Sequence, residues 1–165
     1  MKKIWAPWRI EYIKQTRADD ECFICEVIND DPLNDKKNLI LHRGKNVIVL
    51  LNLYPYIAGH LMVAPIEHTA DLKDLPLETS SEMWSLTTKT VELLKAAIRP
   101  EGFNIGLNLG EVSGAGLKTH LHIHVVPRWS GDTNFMPILS DTRVISQGLS
   151  ETYSELEKFK EILEK

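Results

Sequence analysis

The alternation of apolar and polar positions divides the chain into a run of strands, one long helix and a second pair of strands. Leu39 to His42 and Asn46 to Asn52 are patterned as strands, with Arg43-Gly44-Lys45 as the hairpin turn between them. Tyr54-Pro55-Tyr56-Ile57-Ala58-Gly59 breaks the sheet, and His60 to Pro65 resumes it as a meander. After Pro65 the period changes. Met83, Thr87, Val91, Leu94 and Ile98 recur at three- and four-residue intervals, so a helix is predicted from Ser80 until Arg99-Pro100 stops it. Thr79-Ser80-Ser81-Glu82 has the spacing of a capping box at its start. Phe103 to Leu109 alternates as a strand, Gly110 to Leu117 is a glycine-bearing loop, and His120 to Pro127 reads as the strand that pairs with the former. Ser150 to Lys165 is patterned as a terminal helix with Tyr153, Leu156, Phe159 and Leu163 on one side. The expected fold class is α+β: an antiparallel sheet of about five strands with one long packed helix and a C-terminal helix. A single domain is expected over residues 1–165, with residues 1–21 as an N-terminal arm. Ile4, Trp5, Trp8, Ile10, Tyr12 and Ile13 make that arm too apolar to stand in water, so it should dock on the body or on a second subunit.

Composition narrows the function. A chain of 165 residues with 43% hydrophobic content buries one ordinary core, and a net charge of −4 argues against non-specific nucleic-acid or membrane binding. Lys2, Lys3, Arg9, Lys14 and Arg17 nevertheless make the arm locally positive, as either a phosphate-facing or a solvated segment. The longest apolar stretch, Val47 to Pro65, carries Asn52, Pro55 and His60, which suits two strands and a turn and not a membrane span. Trp5-Ala6-Pro7-Trp8-Arg9 interrupts any apolar run after the basic start, so no signal peptide and a cytoplasmic location are expected.

The chemistry concentrates in His120-Leu121-His122-Ile123-His124-Val125-Val126-Pro127-Arg128, which holds three of the six histidines. On a strand, alternate side chains share a face, so the three imidazoles should form a row about 6–7 Å apart opposite Leu121, Ile123 and Val125. Such a row can bind a metal, hold a phosphate, or offer a nucleophile flanked by proton donors. The glycine-bearing loop before it adds backbone N–H groups at Gly114 and Gly116 that no side chain shields from phosphate oxygens. Asn52 and Asn108 each close a strand and can give and take hydrogen bonds, as ribose or phosphate contacts or simply as turn formers. Cys22 and Cys25, two residues apart, suit a metal clip or a redox pair, or two reduced buried thiols, better than a stabilising disulfide.

These residues resemble the histidine triad superfamily, whose signature alternates histidine and apolar residues three times and ends in two apolar positions. The likeness extends to Asn52, to Pro55 through Gly59-His60, to Asn108-Leu109-Gly110 and to Gly114-Ala115-Gly116. Trp5-Ala6-Pro7-Trp8-Arg9 and Pro127 through Met136 are similar to the bacterial diadenosine tetraphosphate phosphorylase branch, a neighbour of the fragile-histidine-triad hydrolases. The resemblance implies an enzyme acting on nucleotides or dinucleoside polyphosphates such as diadenosine tetraphosphate. In it His122 attacks the α-phosphorus to form a nucleotidyl-histidine, His124 donates to the phosphate or the leaving oxygen, and His120 completes the catalytic set. Ser113, Gly114, Ala115, Gly116 and Leu117, with Asn52 and Asn108, are the implied substrate contacts. One departure stands out: the hydrolases carry glutamine and a hydroxyl residue before the triad, where this chain has Asn108 and Gly116. Relatives with a Cys-x-x-Cys clip imply a structural zinc held by Cys22, Cys25, His68 and His120, with His42 the rival to His68, and no organic cofactor. A twofold homodimer is also implied, with no membrane and no nucleic-acid partner. The acceptor is inorganic phosphate or water, phosphate being favoured by the branch. The readings set beside this one are hydrolysis of the fragile-histidine-triad kind, a nucleotide-binding regulatory protein with weak turnover, and a zinc-stabilised interaction module.

Overall fold

The computed structural model describes residues 22–113, 117–132 and 147–165, so the N-terminal arm, Gly114-Ala115-Gly116 and residues 133–146 lie outside the described residues. In chain order the elements are α1 (Phe23–Asn29), β1 (Ile40–Arg43), β2 (Val47–Leu51), β3 (Leu61–Pro65), α2 (Leu77–Ile98), β4 (Gly102–Leu107), β5 (Ile123–Arg128), α3 (Leu149–Glu157) and α4 (Glu161–Glu164). The strands form one sheet in the order β1-β2-β3-β5-β4, and every neighbouring pair is antiparallel. The α+β expectation therefore holds. The connection from β3 through α2 to β4 skips one position, which leaves the gap that β5 fills, and so the histidine segment enters the middle of the sheet.

The period of two along each strand sorts the core into two layers. Val47, Val49, Leu51, Leu61, Val63, Ile123 and Val125 face α2, α3 and α4, where Met83, Leu86, Leu93, Leu94, Tyr153, Leu156 and Leu163 are buried against them. Ile48, Leu50, Met62 and Ala64 face the other way, against Cys22 and Ile24 of the α1 region. Met62 is the register partner of His124, so the triad belongs to this second, thinner layer. Tyr153 fastens the C-terminal helix to the sheet by donating its hydroxyl to the Ile40 carbonyl at 2.9 Å. No helix among the described residues is long and apolar enough to cross a membrane.

Four expectations are corrected. Helix α2 begins at Leu77 behind Pro76, without a side-chain cap. Glu82, the supposed partner in a capping box, instead accepts from the backbone N–H groups of Lys45 and Asn46 and from the Asn46 amide, and so closes the β1–β2 hairpin. The last strand begins at Ile123 and not at His120. The C-terminal segment is two helices broken at Lys158–Lys160, with Phe159 only partly buried. The pattern also gave no sign of α1. It has only seven residues, too few to repeat an apolar face.

Candidate active site

His122 stands between two clusters. Its Nδ1 lies 2.9 Å from the backbone oxygen of His120. A carbonyl only accepts, so Nδ1 carries the proton and Nε2 keeps the lone pair. His122 is buried, and burial holds its pKa below the usual histidine value, so the ring is neutral near pH 7. The structure thus leaves one imidazole nitrogen on His122 able to attack.

On one side lies a chain of hydrogen bonds from the β2–β3 loop. Asn52 Oδ1 accepts from the Tyr54 N–H at 2.9 Å, which orients the amide so that its Nδ2 donates to His60 Nδ1 at 3.3 Å. The Tyr56 N–H donates to the same nitrogen at 3.1 Å. With Nδ1 accepting, the His60 proton sits on Nε2, 3.0 Å from His124 Nδ1. His124 must then accept there and carry its own proton on Nε2. That Nε2 is buried and has no hydrogen-bond partner among the described residues, an orphaned donor beside His122. The His122 and His124 rings meet edge to face, with centroids 4.6 Å apart, closer than the spacing expected for a straight row on a strand. Burial, aided by the charge of His122, pushes the His124 pKa down to about 4, which keeps it a neutral donor. Gly106 is the register partner of His124, and a Cβ built there meets none of the described residues within 4 Å.

On the other side His120 faces the cysteine clip. Its Nε2 donates to the Pro65 carbonyl at 2.8 Å, so its Nδ1 lone pair points at Cys22 Sγ, 3.3 Å away, and Cys25 Sγ, 3.5 Å away. His68 Nδ1 approaches Cys25 Sγ at 3.1 Å. The donor atoms of Cys22, Cys25, His68 and His120 all lie within 4.8 Å of one another. Two sulfurs and two ring nitrogens at such spacings suit a tetrahedral zinc, whose neighbouring S and N ligands stand about 3.5 Å apart. Burial, then the hydrogen bond and charge of Cys22 and the charge of Glu26, push the Cys25 thiol up to about 11 without a metal. A bound cation would reverse that preference. Helix α1 carries the clip, and Arg43 anchors its end by donating to the Val27 and Ile28 carbonyls while pairing with Asp35. His42 is excluded from this cluster. It lies on β1 among Lys89, Glu82 and Glu164 of the helical layer, where burial lowers its pKa.

The family model of the HIT domain, the histidine triad fold, matches residues 34–131. The chain belongs to the HIT family. Among curated relatives, the AP-4-A phosphorylase of Mycobacterium tuberculosis is 40% identical over 157 residues, covering 92% of this chain and 80% of that protein. A Zn-bound histidine triad protein of Mycobacterium smegmatis superposes with a TM-score of 0.68 at 27% identity, covering 89% of this chain and 98% of that one. A HIT family protein of Bacillus anthracis gives 0.59 at 28% identity over 68% of this chain and 77% of its own.

Within the HIT frame the sequence candidates divide. His120, His122, His124, Asn52, Cys22, Cys25 and His68 are drawn together on the α1 side of the sheet. Asn108, partly buried, follows the end of β4 just beyond Leu107, the register partner of Ile123. Ser113 lies in a short 3-10 turn and turns its hydroxyl back to the Gly110 carbonyl, and Leu117 packs on the thinner core layer. Gly114, Ala115 and Gly116 lie outside the described residues. His60 is the functional candidate that sequence reasoning missed, although a buried histidine opening an apolar strand was a signal worth weighing.

Proposed function

We propose that this chain is a nucleotidyl transferase acting on dinucleoside polyphosphates such as diadenosine tetraphosphate (Ap4A), with His122 as nucleophile and inorganic phosphate as the favoured acceptor. The observation that carries this reading is the pairing of a neutral His122, its lone pair at Nε2, with the orphaned Nε2–H donor of His124. In the first step the His122 lone pair forms an N–P bond to the α-phosphorus, and the bond to the bridging oxygen breaks with its electron pair. His124 holds that oxygen by a hydrogen bond and keeps its proton, because ATP leaves readily as an anion. The His120 carbonyl, bonded to Nδ1–H, steadies the positive charge the ring acquires. In the second step a phosphate oxygen attacks the same phosphorus, ADP forms, and His122 recovers its lone pair. Asn52, whose amide is held beside His60, would be a ribose contact in this reading.

Cys22, Cys25, His68 and His120 would hold a structural Zn2+. Bound there, it would cross-link α1, the segment after β3 and the start of the triad, and with four protein ligands it would serve as a structural ion. A twofold homodimer is part of the same proposal. It is supported by the edge position of β4, with Ile105 44% exposed, and by Trp84, 64% exposed, on the outer side of α2. Light scattering that gives a monomer at micromolar concentration rejects the dimer. A reduced metal clip accords with a cytoplasmic location.

Product analysis tests the reaction. Ap4A incubated with phosphate should give ATP plus ADP, with ADP acquiring label from 32P-phosphate. ATP plus AMP, unchanged by added phosphate, makes the chain a hydrolase, and intact Ap4A with bound nucleotide makes it a binding protein.

A further inference from the structure

We infer that Tyr56 is a positioning residue that holds the His60–His124 pair in two ways, with its backbone N–H fixing the proton's place and its ring keeping water out. The inference rests on the nucleotidyl-transfer reading above. The Tyr56 ring lies 4.5 Å from the His60 ring and 5.8 Å from the His124 ring, centroid to centroid, tilted by 43° and 34°. The ring is therefore seated over both imidazoles, although the residue as a whole is 42% exposed. Beneath it His60 is only 1% and His124 only 9% exposed. Pro55 fixes one neighbouring dihedral of Tyr56. The turn itself is pinned by Tyr54 N–H on Asn52 Oδ1, Asn52 N–H on the His60 carbonyl and His60 N–H on the Ile57 carbonyl. Gly59 follows with φ +80, a left-handed conformation that residues with a Cβ rarely adopt, and it turns the chain into β3.

This matters because a neutral imidazole donates one hydrogen bond only, and water competes for it. Water reaching the His60–His124 contact can accept from His60 Nε2 or donate to His124 Nδ1. Either breaks the constraint that leaves the His124 proton on Nε2, aimed at the leaving oxygen. Keeping the pair dry costs no extra group beyond the aromatic face. Asn52 and the Tyr56 N–H already satisfy the far end of the chain.

The test compares two aryl esters of AMP that share the transferred half and differ in the leaving oxygen. A p-nitrophenolate leaves with little help, whereas a phenolate depends on the hydrogen bond from His124. The wild-type protein, Tyr56→Ala and Tyr56→Phe are assayed as full-length chains. The expected result is that Tyr56→Ala lowers kcat for the phenyl ester about tenfold more than for the p-nitrophenyl ester, the size of one weakened hydrogen bond, with KM moving little. Tyr56→Phe retains the wild-type ratio. In the same proteins, 15N-resolved NMR should show the His60 Nε2–H in wild type and Tyr56→Phe and lose it to solvent exchange in Tyr56→Ala. Equal losses on both esters, or an Nε2–H that exchanges alike in all three proteins, overturn the inference. Failure of the wild type to release either aryl oxide overturns the transfer reading instead, and the NMR comparison still decides whether the ring shields the pair.

Discussion

The two clusters that flank His122 use the same side chain in opposite senses. Toward the cysteine clip, His120 turns its proton outward to the Pro65 carbonyl and its lone pair inward, so that lone pairs converge on the Cys22, Cys25 and His68 donors. Toward the β2–β3 loop, backbone and amide N–H groups force protons to run inward, from His60 to His124, until the last one is left without a partner among the described residues. On the proposed reading, one side would receive a cation and the other would meet an anion. His122 shares a feature with each, since its Nδ1 proton is held by the carbonyl of the metal-side residue while its ring meets that of His124 edge to face. An imidazole's role in this molecule is thus decided by the group on its far nitrogen, a carbonyl or an N–H, and not by its place in the triad.

Breaking the centre gives the largest effect. His122→Ala should lower turnover by more than about a thousandfold while nucleotide binding persists, because only the attacking atom is removed. Residual activity within tenfold of the parent rejects covalent transfer. Breaking the anion side comes next: His60→Leu removes the donor that fixes the His124 proton, and kcat should fall about a hundredfold, comparable to the loss of one transition-state donor. An unchanged kcat would mean that the proton order along Asn52, His60 and His124 is irrelevant. Cys22→Ser breaks the cation side. It should lower the zinc content from one per chain toward zero and lower Tm by several degrees, with activity at low temperature falling far less than in His122→Ala. A parent that binds well under one zinc, together with a Cys22→Ser protein that melts like it, removes the metal from the account.

The smallest effect is on stability against acid. His124 has its pKa depressed to about 4 in the folded chain, whereas an unfolded histidine titrates at about 6.5. Between those values the unfolded chain binds the extra proton, so the contribution of His124 is intact above about pH 6.5 and drains away as the pH falls toward 4. The slope is about 1.4 kcal/mol per pH unit at most. Denaturant melts from pH 7 to pH 4 should show that loss in the parent and less of it in His124→Gln. Equal slopes would show that His124 is not the titrating group.

Much of this was legible in the chain because the three triad histidines alternate within five residues. His120, His122 and His124 announce themselves by spacing alone, and Cys22 with Cys25 does the same. His60 does not. It is a single histidine in an apolar run, and the residue that gives it meaning is 64 positions away, across the β3–β5 pairing. In sequence His68 was favoured over His42 only by resemblance, and the sheet separates them physically, since β1 turns His42 toward the helical layer while the segment after β3 runs beside α1. The capping-box error has the same source. Glu82 has the local spacing for a cap, but the open N–H groups of Lys45 and Asn46 offer it a tertiary partner. Local pattern located the strands and the long helix, and long-range pairing brought the distant side chains together.

The central claim, that a neutral His122 attacks phosphorus through Nε2, is tested most directly by rapid-quench trapping with Ap4A labelled at the α-phosphorus. The account predicts acid-labile, base-stable label on the protein, approaching one per chain in the absence of phosphate, discharged as ADP when phosphate is added and absent from His122→Asn. Turnover without any labelled protein, or label that survives in His122→Asn, would contradict it.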